Sequence, residues 1–186
     1  YFLINLTGTT NYWFYAGTAK IYRTDGTTNA DVTRVSGGDY STNLTGVGNW
    51  VGTIFNGNVI INNGVDDPQL YDGGTSKFID LTNWPASTTC KSMRSYGNYL
   101  IALNMTESGT NLPNKIRWSD TSSAIPSTWV AGATNDAGST TVGDDGDFIV
   151  DGFALNKSFI IYKERSTWLM NYLGGNLVFR FQIISL

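Results

Sequence analysis

The 186-residue sequence predicts an all-β chain assembled from repeated short antiparallel sheets, on three observations: its turn-rich composition, its aromatic content and an internal repeat. Gly, Asn, Thr and Ser number 21, 18, 23 and 15, together 77 residues, whereas there are only 2 Glu, 6 Lys and 3 Met. Gly costs a helix about 1 kcal/mol per residue, and Thr and Asn compete with the helix through local side-chain hydrogen bonds. The 25 aromatic residues favour pleated, half-buried surfaces. A hydrophobic content of 41% is too high for disorder.

The repeat consists of a polar turn, a short apolar strand, a second turn and a strand ending in an aromatic residue. Its clearest copy runs over residues 55–64 and 68–72, the next over 95–103 and 115–119, and a third over 154–162 and 166–170. A weaker first copy covers 9–15 and 19–23. Asn11, Asn58, Asn98 and Lys157 mark the repeats at spacings of 47, 40 and 59 residues, with insertions expected at 107–114 and 131–147. Repeats of about 40–50 residues made of short strands are the pattern of propeller blades. The expectation is therefore a partial β-propeller of about four blades, each a four-stranded antiparallel sheet, in one region over 1–186. The units fall at about 1–47, 48–88, 89–146 and 147–186. A sandwich or jelly roll is the alternative that the same composition allows.

Turn chemistry marks the strands in order. Asn56-Gly57 and Asp25-Gly26 supply the positive φ of tight hairpins, as do Asn63-Gly64 and Asp72-Gly73-Gly74. Residues 59–61 and 69–71 are expected to pair, and each unit has a preceding strand, at 50–55, 91–96 and 148–153. The chain opens on Tyr1-Phe2-Leu3-Ile4 without Met and closes on strand-like residues, so it reads as a fragment of a longer chain.

Composition also excludes chemistry. There is no His, which removes Ser–His and Cys–His nucleophile pairs, His-ligated metals and a histidine pH switch. The single Cys90 forms neither an intrachain disulfide nor a Cys-based zinc site. A net charge of −3 offers no basic surface for phosphate. No apolar run approaches the roughly 20 residues that span a bilayer.

Several local patterns invite a functional reading. The acidic run 143–147, with Asp144, Asp145 and Asp147, has oxygen donors for a hard cation but lacks EF-hand spacing, so it reads as a solvated loop. Asp66-Asp67-Pro68 reads as a turn before a strand. Trp118-Ser119-Asp120, with Trp129, is similar to the Asp box of sialidase-type propellers, but its spacing is too long and its Gly is missing. Glu107 and Glu164 read as surface residues, so no carboxylate pair for glycoside hydrolysis stands out. The four Asn-x-Ser/Thr sites equal the chance expectation of about four for this composition. Tyr12-Trp13-Phe14-Tyr15 and the tryptophans Trp50, Trp118 and Trp168 are expected to pack between sheets rather than bind sugars or bases. No residue is assigned a catalytic, cofactor-binding or metal role, and ligand or DNA contacts stay unassigned.

Residues 50–72, WVGTIFNGNVIINNGVDDPQLYD, resemble the propeller part of bacteriophage tail nozzle proteins (tail tubular protein B) and the related packaged-DNA stabilisation proteins. Residues 115–129, KIRWSDTSSAIPSTW, and 148–162 resemble further segments of the same group. The resemblance implies a non-enzymatic structural protein of the virion, made in the host cytoplasm. It implies copies arranged in a ring, sixfold in that family, around the DNA exit channel, with other tail or head-to-tail adaptor proteins as neighbours. DNA would pass through without specific binding, since an acidic wall repels phosphate. The competing expectation is a carbohydrate- or receptor-binding propeller of tail-spike or lectin type, and after it a sialidase-type glycosidase.

Overall fold

The computed structural model describes residues 2–5, 12–41, 50–74, 76–175 and 177–185. These form sixteen strands and no helix. The first sheet holds β1 (Phe2–Asn5), β2 (Tyr12–Ala16), β3 (Ile21–Thr24) and β4 (Asn29–Asp31). The second holds β5 (Val51–Phe55), β6 (Asn58–Asn62), β7 (Gln69–Tyr71) and β8 (Ile79–Asp80). β9 (Thr88–Tyr96), β10 (Tyr99–Glu107), β11 (Thr110–Trp118) and β12 (Gly138–Thr141) make the third. The fourth consists of β13 (Ile149–Leu155), β14 (Ser158–Lys163), β15 (Thr167–Tyr172) and β16 (Phe179–Ser185). Every sheet is an antiparallel meander whose strands pair in chain order.

Of the expected tight hairpins, the one at Asn56-Gly57 forms for the expected reason. At Asp25-Gly26, Asn63-Gly64 and Asp72-Gly73-Gly74 only Gly26, Gly64 and Gly73 take positive φ, within longer connections. Asn56 and Gly57 take φ of 48° and 80°, so two residues with positive φ join β5 to β6. That geometry matches the twist of the flanking strands. Val59 then pairs with Tyr71 and Ile60 with Leu70.

Two stretches depart from expectation. Residues 107–114 are no insertion: they are the far end of the long β10–β11 hairpin, where Glu107 pairs with Thr110. Within 131–147 lies β12, which adds a fourth strand to the third sheet by pairing Lys115 with Thr141 and Trp118 with Gly138. β12 contains only Gly, Ser and Thr, so it has no apolar alternation to reveal it. Gly138 is required there, because a Cβ would come within 2.5 Å of the Trp118 ring.

The sheets stack face to face in chain order, with one apolar core between each consecutive pair. Phe14 and Ile21 of the first sheet meet Val59, Ile61 and Tyr71 of the second. Phe55, Ile60 and Leu70 of the second meet Cys90, Met93, Leu100 and Ala102 of the third. Ile101, Leu103 and Trp118 of the third meet Phe159, Ile161 and Met170 of the fourth. Alternation along a strand sends neighbouring residues to opposite cores: Leu100 faces the second sheet and Ile101 the fourth. Each Ile or Leu so buried contributes roughly 1.5–3 kcal/mol relative to exposure. The leading strands β1, β5, β9 and β13 lie side by side along one edge of the stack. The sheets do not close into a ring.

Candidate functional site

Two clefts open in the wedge between the third and fourth sheets. The larger, about 970 Å³, lies where the loop before β12 faces the start of β16, and is lined by Trp118, Asn135, Asp136, Leu177 and Phe181 among others. The smaller, about 430 Å³, lies between the β9–β10 and β13–β14 turns, with Tyr96, Tyr99 and Tyr172 as walls and Asn98, Asn156 and Lys157 around them. Tyr99 lines the smaller cleft and bonds to a residue that lines the larger. Its hydroxyl donates to Asp136 Oδ2 at 2.7 Å, and its ring stands 5.1 Å from Phe179 in an edge contact. Burial, reinforced by the Asp136 carboxylate, raises the Tyr99 phenol above its usual range, so it stays a neutral donor.

These walls are aromatic because the third core is. Trp118, Phe179, Tyr96 and Phe159 form a chain of tilted and edge-to-face contacts at 5.3–6.0 Å. Trp118 donates its indole N–H to the Asp136 carbonyl at 2.6 Å, tying the loop to the sheet. Tyr172 remains 52% exposed at the mouth of the smaller cleft.

The sequence-predicted residues mostly fasten the fold, some between sheets and others within one. Asp66 accepts from Asn63 Nδ2 at 2.8 Å and from the Ser41 backbone N–H at 2.9 Å, and lies 3.5 Å from Arg34. Burial pushes its carboxyl up, but these hydrogen bonds and the guanidinium outweigh it and hold the pKa below the usual carboxylate value. The Asp66-Asp67-Pro68 turn is therefore also a clasp between the segment after the first sheet and the second sheet. The polar groups of Trp118-Ser119-Asp120 instead fasten parts of the third sheet to one another. Ser119 Oγ accepts from the Leu100 N–H at 3.0 Å, and Asp120 Oδ1 accepts from the Asp136 N–H at 2.9 Å. Trp129 is buried between the second and third sheets against Trp84.

Glu107 departs from its surface reading. It is half-buried and bridges Lys115 at 2.7 Å and Arg117 at 2.8 Å on the neighbouring strand. Burial raises its carboxyl, and the two cations with their hydrogen bonds more than reverse this. Glu164 is exposed, as expected. In the acidic run, Asp147 accepts from the Arg165 N–H at 2.7 Å and from Ser166 Oγ, and lies 3.7 Å from the fully buried Lys163 Nζ. Among the described residues no group of three His, Cys, Asp or Glu side chains is placed to hold a metal ion. Phe14 enters the first core and Tyr15 stacks on Tyr22 at 5.4 Å, so the Tyr12–Tyr15 run supplies both faces of β2.

No protein-family model matches this chain, and no curated protein does.

Sequence reasoning missed the polar joint along the edge where β5, β9 and β13 meet. Asp151 accepts from Arg94 Nη2 at 2.6 Å, Arg94 Nε at 3.0 Å and Ser92 Oγ at 2.5 Å, while Arg94 Nη1 reaches the Gly52 carbonyl at 2.9 Å. One guanidinium thus ties the second, third and fourth sheets together. Burial works to raise the Asp151 pKa, but the hydrogen bonds and the Arg94 charge prevail and lower it. The partners lie 57 and 59 positions apart, a separation that carries no local signal.

Proposed function

We propose that the four sheets are consecutive blades of a β-propeller and that the chain is a structural component of a phage tail. In this reading it is a nozzle or tail-tube-associated protein, arranged as copies in a ring that lines or encloses the DNA exit channel. It performs no catalysis, and its partners are further copies and neighbouring tail or adaptor proteins.

One observation carries the reading: the segments that resemble tail nozzle proteins spend their polar groups on fastening strands, loops and sheets to one another. Asp66 clasps Ser41 and Arg34, Ser119 holds the Leu100 backbone, Asp120 pins the loop before β12, and Trp118 and Trp129 fill two different cores. Such residues serve rigidity, which a conduit for a stiff, highly charged polymer requires. A chain with net charge −3 leaves passing phosphates unbound. The test is mass spectrometry and antibody-labelled electron microscopy of assembled particles. Label in a ring at the tail is expected, and particles lacking the chain would overturn the reading.

A second reading, recognition of a surface saccharide, draws on the smaller cleft, where the exposed Tyr172 ring stands beside Asn98 and Asn156 on two hairpin turns. An aromatic face next to amides suits a pyranose. Binding on a glycan array that is lost in Tyr172→Ala would favour it, and an array without binders would remove it.

A further inference from the structure

The first hairpins of the last three sheets are equivalent position by position. Phe55 pairs with Asn58, Tyr96 with Tyr99 and Leu155 with Ser158, so the turns are Asn56-Gly57, Gly97-Asn98 and Asn156-Lys157. Their first positions share a backbone conformation, with φ of 48°, 55° and 59°. Their side chains differ in use. Asn56 donates its amide to the Ser122 carbonyl at 2.8 Å and the Ala124 carbonyl at 3.2 Å, which ties the turn of the second sheet to the segment after β11 in the third. At the next junction the equivalent position is Gly97, which has no side chain to repeat that clamp, and there the smaller cleft of about 430 Å³ opens.

The polar groups around this cleft are uncommitted. Among the described residues, the side chains of Asn98, Thr121, Asn156 and Lys157 make no hydrogen bond or ion pair within the chain. The hydroxyls of two walls are already spent, Tyr96 donating to the Lys157 carbonyl at 2.5 Å and Tyr99 to Asp136 Oδ2 at 2.7 Å. No Asp or Glu lines the cleft, so Lys157 is the one charged residue on its walls.

We infer that the smaller cleft binds an acidic saccharide, a pyranose bearing one carboxylate of the uronic-acid kind, and that Lys157 selects its charge. This assignment rests on the saccharide reading of the same cleft and adds the charge of the sugar. The exposed Tyr172 ring offers an apolar wall to the C–H face of a pyranose. Asn98 and Asn156 each present a carbonyl and an NH₂ group, which can accept from and donate to neighbouring hydroxyls. The Lys157 ammonium is a compact point charge with three donors, suited to a carboxylate. A volume of about 430 Å³ lies within the roughly 300–1,000 Å³ of small-ligand sites, where a few convergent polar groups fix the ligand against apolar walls. One cation matches one carboxylate. A chain with net charge −3 does not draw a polyphosphate, which makes nucleic acid the poorer occupant.

The test is an array that carries uronate-containing oligosaccharides, each beside its carboxyl-reduced neutral counterpart. The whole chain should bind at least one uronate form at least tenfold more tightly than its reduced counterpart, with a preference that shrinks as salt rises. Lys157→Gln should abolish that preference and Lys157→Arg should keep most of it, while Tyr172→Ala should weaken both forms. Lys157 is exposed in a turn, so the circular dichroism spectrum should be unchanged. Asn98→Ala repeats the test from the opposite turn and should weaken binding at least threefold. Equal binding of acidic and neutral forms, unaltered in Lys157→Gln, would overturn the acidic assignment and leave the saccharide reading standing. An array without binders would remove both. Uronate binding that survives Tyr172→Ala and Asn98→Ala would place the site elsewhere and overturn the assignment too.

Discussion

The third and fourth sheets share a register and a similar apolar content but differ in what covers them. Leu100-Ile101-Ala102-Leu103 in β10 and Phe159-Ile160-Ile161-Tyr162 in β14 are both unbroken apolar runs, the pattern of a strand buried on two faces. In the third sheet both faces are sealed, by the second sheet and by the fourth. In the fourth, Phe159 and Ile161 are fully buried, while on the other side Ile160 is 8% exposed and Tyr162 and Phe153 remain about half exposed or more. The large side chains Phe153, Leu155 and Tyr162 thus stay open where no further sheet lies on top, while Ile160 between them is already buried.

The sharpest way to break the comparison is to truncate one aromatic residue on each side of the fourth sheet. Phe159→Ala empties the third core and should cost about 3–5 kcal/mol in urea unfolding. Phe153→Ala removes a ring that is 62% exposed and should change stability by less than about 0.5 kcal/mol in dilute solution. Equal losses would mean that the exposed face is packed within the chain. Next in size is Gly152→Ala, whose Cβ would meet Phe159 Cε1 at 2.5 Å and the Ile160 carbonyl at 3.0 Å. Overpacking of that kind should cost about 1–3 kcal/mol. Adding Phe159→Leu should recover part of it, a coupling measurable as a double-mutant cycle.

A smaller effect is expected at the polar joint. Asp151→Asn should lose about 1–2 kcal/mol at neutral pH, because Arg94 keeps its burial but loses a charged acceptor that is itself partly solvated. The sign with pH follows from the lowered carboxyl pKa. The contribution is fully present above the unfolded value near 3.8 and disappears as pH falls through the lower folded value. Wild-type stability should therefore fall more steeply below about pH 4 than that of Asp151→Asn, as read from urea midpoints across pH. Least disturbing is a labelling experiment at Cys90, whose thiol is buried in the second core and pushed well above its usual pKa by that burial. Thiol reagents should modify it only as fast as the second and third sheets part, whereas immediate reaction would show that core to be loose.

Legibility in the sequence tracked distance along the chain. The hairpins at Asn56-Gly57 and the strands near 59–61 and 69–71 were readable because turn residues and apolar alternation act within a few positions. The all-β class followed from composition for the same reason. β12 was hidden, since a strand of Gly, Ser and Thr at the outer edge of its sheet needs no apolar pattern, only a partner in β11. The Glu107 bridge to Lys115 and Arg117 was missed because a hairpin end was read as an insertion, which broke the pairing that brings them together. The clefts beside Tyr99 arise from residues far apart in sequence, so Tyr99, Asp136 and Tyr172 had nothing local to mark them.

The central structural claim is that successive sheets pack face to face in chain order, and paired cysteines test it most directly. In a Cys90→Ala background, Thr53→Cys with Ser95→Cys replaces two hydroxyls that lie 2.9 Å apart across the second and third sheets. Ser92→Cys with Asp151→Cys probes the third and fourth, replacing a hydroxyl and a carboxylate whose oxygens are 2.5 Å apart. Under mild oxidation both pairs should form intrachain crosslinks, seen by non-reducing electrophoresis and peptide mass. Reduced, uncrosslinked chains in both cases would contradict the stacking and every inference built on it.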